Sequence, residues 1–108
     1  MSLGPEFEAR VAELRAEFRA ELPRIKAQLD EAVAGLASAG AAERARLGNL
    51  AHRLAGNGAL FGFPEVTEWG RRTEKLCRTE APVELLVAAT RDFDAVVAQI
   101  CGVSVSEA

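Results

Sequence analysis

The one histidine of this 108-residue chain, His52, lies in the run Leu47-Gly48-Asn49-Leu50-Ala51-His52-Arg53-Leu54-Ala55-Gly56. Its surroundings make it the first candidate for chemistry. At about 100° per residue on a helix, Leu47, Leu50, Ala51, Leu54, Gly58 and Phe61 gather around one direction, and His52 points roughly 150° away from it. The imidazole is therefore expected to face water. Beside it on the outer face fall Ala45, Gly48, Asn49, Gly56 and Ala59, with Ala55 on the flank. Glycine inside a helix costs about 1 kcal/mol relative to alanine, so Gly48 and Gly56 need a compensating reason. Clearing side chains from around the ring, so that another protein can touch it, is one. An ordinary imidazole, with a pKa of about 6.5, is largely neutral near pH 7 and leaves one ring nitrogen free to attack phosphorus.

Other chemistries find little support. Cys77 and Cys101 are isolated in apolar helical patterns and read as small buried thiols rather than a disulfide or metal site. One histidine and two scattered cysteines supply no zinc ligand set, so no metal site is expected. Gly-rich phosphate loops and nucleophile elbows are missing from the sequence, and with them any sign of a nucleotide pocket. A net charge of −3 argues against a general nucleic-acid binder, which needs a concentrated basic surface. No apolar stretch is long enough to span a bilayer and no signal segment opens the chain, so a cytoplasmic location is expected; Met1-Ser2-Leu3 reads as an expression scar.

The elements that must hold His52 are helices. Hydrophobic residues make up 49% of the chain and charged ones 27%, and the strong helix formers Ala, Leu, Glu and Arg dominate over β-branched and aromatic types. From Phe7 a stripe of threes and fours runs through Val11, Leu14, Phe18, Leu22, Ile25, Leu29, Val33 and Leu36. Pro23 falls inside it, in phase, which predicts a kink or a short break between two stacked helices. Gly35 to Gly40 should end the element, and a second helix should begin near Ala41, carry His52 and close at Gly62 with a left-handed cap. Pro64 and Pro82 each fit the first turn of a further helix, with stripes Val66, Trp69, Thr73, Leu76, Cys77 and Leu86, Val87, Thr90, Phe93, Val97, Ile100. Phe61, Phe63 and Trp69 are expected in the core, and Gly102 is expected to cap the last helix ahead of a frayed tail. The sum is an all-α, antiparallel up-and-down four-helix bundle with an extra N-terminal segment kinked or broken near Pro23. It forms a single domain over residues 5–102, with tails at 1–4 and 103–108.

With these elements in place, His52-Arg53-Leu54-Ala55-Gly56, followed by Gly62 ten residues after the histidine, resembles the signature HxLKGxxxxxG of the histidine-phosphotransfer (HPt) family. Leu50-Ala51 and the upstream Phe18 to Leu22, Pro23 and Leu29 resemble the same family, so the likeness spans roughly Phe7 to Cys101. It implies that His52 accepts a phosphoryl group on Nε2 from the aspartyl phosphate of a receiver domain and passes it to another receiver in a two-component phosphorelay. The implied partners are response-regulator receivers and a hybrid sensor histidine kinase, with the domain commonly monomeric. It also implies that this chain is a phosphocarrier without a cofactor, the Mg²⁺ and the aspartate belonging to the receiver.

One departure matters. The family usually carries Lys three residues after the histidine, where this chain has Ala55. Arg53, about 100° around the helix from His52, is the first replacement considered, with Arg71 and Arg72 behind it. Asn49 and Gly56 are candidate contacts for phosphate or partner, with Gly48, Ala55, Ala59 and the off-core Leu60 bordering the docking face. Ala55 also keeps open a module that docks receivers without transferring phosphate. The dimerisation helices of a sensor kinase fit less well: they resemble a histidine followed by Glu and an Arg-Thr-Pro run, which Arg53-Leu54-Ala55 does not match.

Overall fold

The structure is a computed structural model, and it describes residues 4–102; the N-terminal scar and the frayed C-terminal tail expected from sequence lie, apart from Gly4, outside the described residues. Four helices follow in order, α1 (Pro5–Ala34), α2 (Leu36–Phe61), α3 (Pro64–Arg78) and α4 (Val83–Cys101), with no strand among the described residues. They pack as a ring in which each helix touches the next and α4 returns to α1. Side-chain pairings fix the directions. Arg46 meets Glu31, and Phe18 stacks near Phe61, so α1 and α2 run antiparallel. Lys26 meets Asp94 while Cys101 donates to the Arg19 carbonyl, which makes α1 and α4 antiparallel too. The bundle is thus all-α and up-and-down, as the periodicity predicts.

At Pro23 the kink expected from the sequence is the outcome, since α1 is helical from end to end and bent rather than broken; three other details differ from the expectation. The missing N–H costs one backbone bond, and the packing of Leu22 and Leu29 on either side holds the helix together. The Gly35 to Gly40 stretch is not a loop, because α2 already starts at Leu36. Gly35 alone forms the joint, its carbonyl accepting from the Ser38 amide at 3.2 Å; the alanines around Gly40 favour helix strongly enough to absorb that glycine. Phe7 opens the apolar stripe but is 52% exposed. At about 1.5 Å per residue, the 30-residue α1 outruns the 19-residue α4, so its first turns have no neighbour to pack on. Finally, Pro82 stands one position before α4, at its N-cap.

The remaining punctuation is as expected. Gly62 and Gly102 adopt the left-handed conformation (φ 79° and 74°) that ends α2 and α4, and Pro64 opens α3. The core is built on Leu22, Leu29, Leu47, Val66, Trp69, Leu86 and Phe93, all essentially inaccessible. Trp69 satisfies its indole N–H on the Ala89 carbonyl at 2.7 Å while its ring meets Phe93, and so pins α3 to α4. Phe63 is buried and Phe61 half-buried against the same core. Among the described residues no helix is long and apolar enough to cross a membrane.

Candidate functional site

The site rests on the seam between α2 and α3, where the two backbones come unusually close. A Cβ placed on Gly70 would stand 2.6 Å from the Ala51 carbonyl oxygen and 2.8 Å from the Ala55 amide nitrogen. One on Gly58 would meet the Thr67 backbone nitrogen at 2.7 Å, and one on Gly48 the Cβ of Cys77 at 3.3 Å. These contacts set an antiparallel register in which Gly58 faces Thr67, and Gly48 faces Cys77. The Thr67 hydroxyl donates to the Ala55 carbonyl at 3.0 Å and locks it. Burial pushes the Cys77 thiol above its usual range, with nearby Arg44 opposing and Glu74 adding to the shift. Cys77 is buried and Cys101 half-buried, both as free thiols.

This register brings His52 and Glu74 together on the rim of the seam. The imidazole is 73% exposed, in agreement with the direction computed from the helical wheel, and its Nδ1 lies 3.0 Å from Oε2 of Glu74, a carboxylate only 22% exposed. A carboxylate can only accept, so Nδ1 carries the proton and donates it; in the neutral ring Nε2 is then the unprotonated nitrogen. Glu74 thereby fixes both ring orientation and tautomer. Nothing in the sequence singles out Glu74, one of 16 acidic residues and 22 positions from His52. Only the heptad-like alignment of α3 against α2, set by glycines, could have pointed to it.

The other site residues separate into two groups. Asn49, Gly56, Ala59 and Leu60 are exposed, Leu60 at 70%, and share the outer surface of α2 with His52. A Cβ on Gly56 would meet nothing within 4 Å, so no contact inside the fold requires that glycine. Gly48 and Ala55, by contrast, do not belong to the open face. Gly48 is half-buried against Cys77, and Ala55 is buried in the seam. The sequence places Gly48 on the outer face and Ala55 on its flank; the closeness of α3 covers both. Gly48 thus has a compensating reason within the fold, and only Gly56 retains the one proposed from sequence. Arg53 is exposed but turns toward α1, lining clefts there with Arg24 and Gln28. Arg71 and Arg72 lie on the outer face of α3 with Lys75. Among the described residues no group of three or more His, Cys, Asp or Glu side chains is arranged to hold a metal ion.

An exposed imidazole on a convex helix face, held through Nδ1 by a carboxylate of the next helix, within a four-helix antiparallel bundle, is paralleled by the sequence as a whole, which matches the Hpt domain family over residues 13–101. The chain belongs to the Hpt domain family. Comparison with curated proteins and with solved structures finds no match. Hpt domains serve as phosphocarrier modules in two-component phosphorelays, in which they interact with receiver domains and kinases.

Proposed function

We propose that this Hpt domain carries the phosphoryl group on Nε2 of His52, accepting it from a receiver aspartyl phosphate and passing it to a second receiver. The observation that carries this reading is the Nδ1 contact with Glu74, which leaves Nε2 as the free nucleophile on a ring that is 73% exposed. In the forward step the Nε2 lone pair forms a bond to phosphorus, and the P–O bond to the aspartate breaks. Its electron pair leaves on the aspartyl carboxylate. The proton on Nδ1 stays where it is, and the ring, now formally cationic, faces the Glu74 carboxylate at hydrogen-bond distance, which stabilises it.

No part of this step needs a nucleotide or a resident metal in this chain. The receiver would bring the aspartate and Mg²⁺, while the bundle supplies an oriented nucleophile. A convex site suits such a reaction, because the catalytic pocket belongs to the partner and the histidine must enter it. Asn49, Gly56, Ala59 and Leu60 then form the contact surface, with Gly56 permitting close approach. We infer a monomeric, cytoplasmic carrier working between a hybrid kinase and its regulators.

The test is phosphotransfer from a panel of phosphorylated receivers. Wild type is expected to take acid-labile label and His52→Gln none; label persisting in His52→Gln ends the proposal. The substitution of Lys by Ala55 favours a second reading, in which the surface docks receivers without chemistry. Receiver binding that is equal in wild type and His52→Gln, with neither labelled beside an active control, would establish that reading instead. Glu74→Ala separates positioning from folding: ¹⁵N NMR of the His52 ring should show the Nε2-protonated tautomer gaining population, with the bundle still folded.

A further inference from the structure

If His52 is phosphorylated, two negative charges arrive beside a position where the family's usual lysine is missing, and a cation must come from elsewhere. The neighbours of His52 offer six arginines and lysines, and the geometry distinguishes them. Arg53 faces α1. Arg71, Arg72 and Lys75 line a separate cleft on the outer side of α3 with Glu68 and Pro64. Arg78 lines the cleft between α2 and α3 together with Gly48, Asn49 and Glu74, the residues immediately bordering His52.

Side-chain direction sharpens the choice. A helical side chain leans toward the N-terminus of its own helix and covers the turn before it. His52 therefore leans over Gly48 and Asn49, toward the cleft. Because α3 runs antiparallel, Arg78 leans back toward Glu74, so the two side chains converge. Arg71 leans in the same direction along α3, but it starts one turn before Glu74 and so leans away from His52, toward the C-terminal end of α2. Arg78 is exposed and has no ion-pair partner among the described residues, so its guanidinium is uncommitted. Arg44 lines the same cleft but leans away from His52, toward the start of α2.

We propose that Arg78 is the phosphate-binding residue of this domain, supplying from α3 the positive charge that Ala55 does not supply from α2. The proposal rests on the phosphotransfer reading of His52. A guanidinium presents parallel donors that match two phosphoryl oxygens, so it can substitute for an ammonium reaching from another helix. Glu74 stays on Nδ1 while Arg78 takes the phosphoryl side, which divides the two charges of the phosphorylated ring between two α3 residues one turn apart.

The experiment uses the full chain labelled by a phosphorylated receiver, or by phosphoramidate as a small donor from which ammonia leaves as the P–N bond breaks. ³¹P NMR then follows protonation of the phosphoryl group on His52. Arg78→Ala should raise the pH at which that group takes up its proton by about half a unit to one unit and slow transfer about three- to fivefold. Arg78→Lys should restore most of both, whereas Arg71→Ala and Lys75→Ala should titrate like wild type. The phosphoryl titration is read on folded, labelled protein, so a loss of helix C-terminal stabilisation in Arg78→Ala would not imitate it. If Arg78→Ala titrates like wild type, or Arg71→Ala shifts as far, the assignment of Arg78 is overturned while labelled His52 still upholds the functional reading. A wild type that neither donor labels overturns both.

Discussion

The two faces of α2 and α4 that bound this bundle are built on opposite principles. Between α2 and α3 the contact is made by Gly48, Ala51, Ala55, Gly58, Thr67 and Gly70, with backbone against backbone at Gly58 and Gly70 and Gly48 against the Cys77 side chain. Between α1 or α3 and α4 it is made by large groups: Trp69 against Phe93, and Lys26 reaching Asp94 at 3.1 Å. Large side chains bury more apolar surface and contribute most of the stability, but they tolerate small shifts by changing rotamer. A seam of glycines has no such slack. Its register is set by hard contacts, and that is the property needed where a hydrogen bond between His52 and Glu74 must be held across two helices. The domain thus separates the region that stabilises it from the region that positions the His52–Glu74 pair.

This contrast can be broken at either end. The largest effect should come from the stabilising side: Phe93→Ala removes a fully buried ring from the α3–α4 contact and should cost about 3–5 kcal/mol in denaturant unfolding. On the positioning side, Gly70→Ala pushes a methyl into the Ala51 carbonyl and the Ala55 backbone, where nothing flexible can yield. It should cost about 2–3 kcal/mol, and its signature is a second one: the His52–Glu74 contact loosens, so residual transfer in the folded fraction falls as well. A Phe93→Ala protein refolded at low temperature should keep normal transfer per folded molecule. Equal losses in both variants would erase the distinction between the two regions.

Gly56→Ala sharpens the comparison from outside the seam. The added methyl meets nothing, so the helix should gain about 0.5–1 kcal/mol, seen as a higher melting temperature. If a receiver approaches closely there, transfer should nevertheless slow; unchanged transfer would mean that Gly56 is not part of the docking surface. The smallest effect concerns Lys26. Burial alone would lower its pKa, but the hydrogen bonds from its ammonium to Asp30 and Asp94 outweigh that and hold it above the usual lysine value of 10.5. A raised folded-state pKa stabilises the fold fully below the unfolded value and loses that contribution as pH climbs through the folded one. Wild type should therefore lose stability above about pH 10.5 more steeply than Lys26→Met, by under about 1 kcal/mol because the two aspartates are exposed. Parallel alkaline profiles for the two proteins would show the triad to be inert.

Much of this was legible in the chain itself. The periodic stripes place four helices, Gly62 and Gly102 end two of them, and the direction of His52 away from the core follows from the spacing of Leu47, Leu50, Leu54 and Phe61 alone. Local rules suffice there because an amphipathic helix reports its buried face whatever it packs on. The same rules read too much into punctuation at Gly40, where good helix formers on both sides carry the helix through a weak position.

What the sequence by itself determined is an exposed imidazole at His52 and its direction away from the core. The tertiary structure alone decided what surrounds the ring. Gly48 passes from the outer face and Ala55 from its flank into the seam, Glu74 becomes the partner of Nδ1, and Arg78 rather than Arg53 lines the α2–α3 cleft with Glu74. The physical reason is that a residue's neighbours on its own helix follow from a fixed 3.6-residue repeat, whereas its neighbours on the next helix depend on register. That register is set here by glycines whose role is visible only when two backbones are brought together.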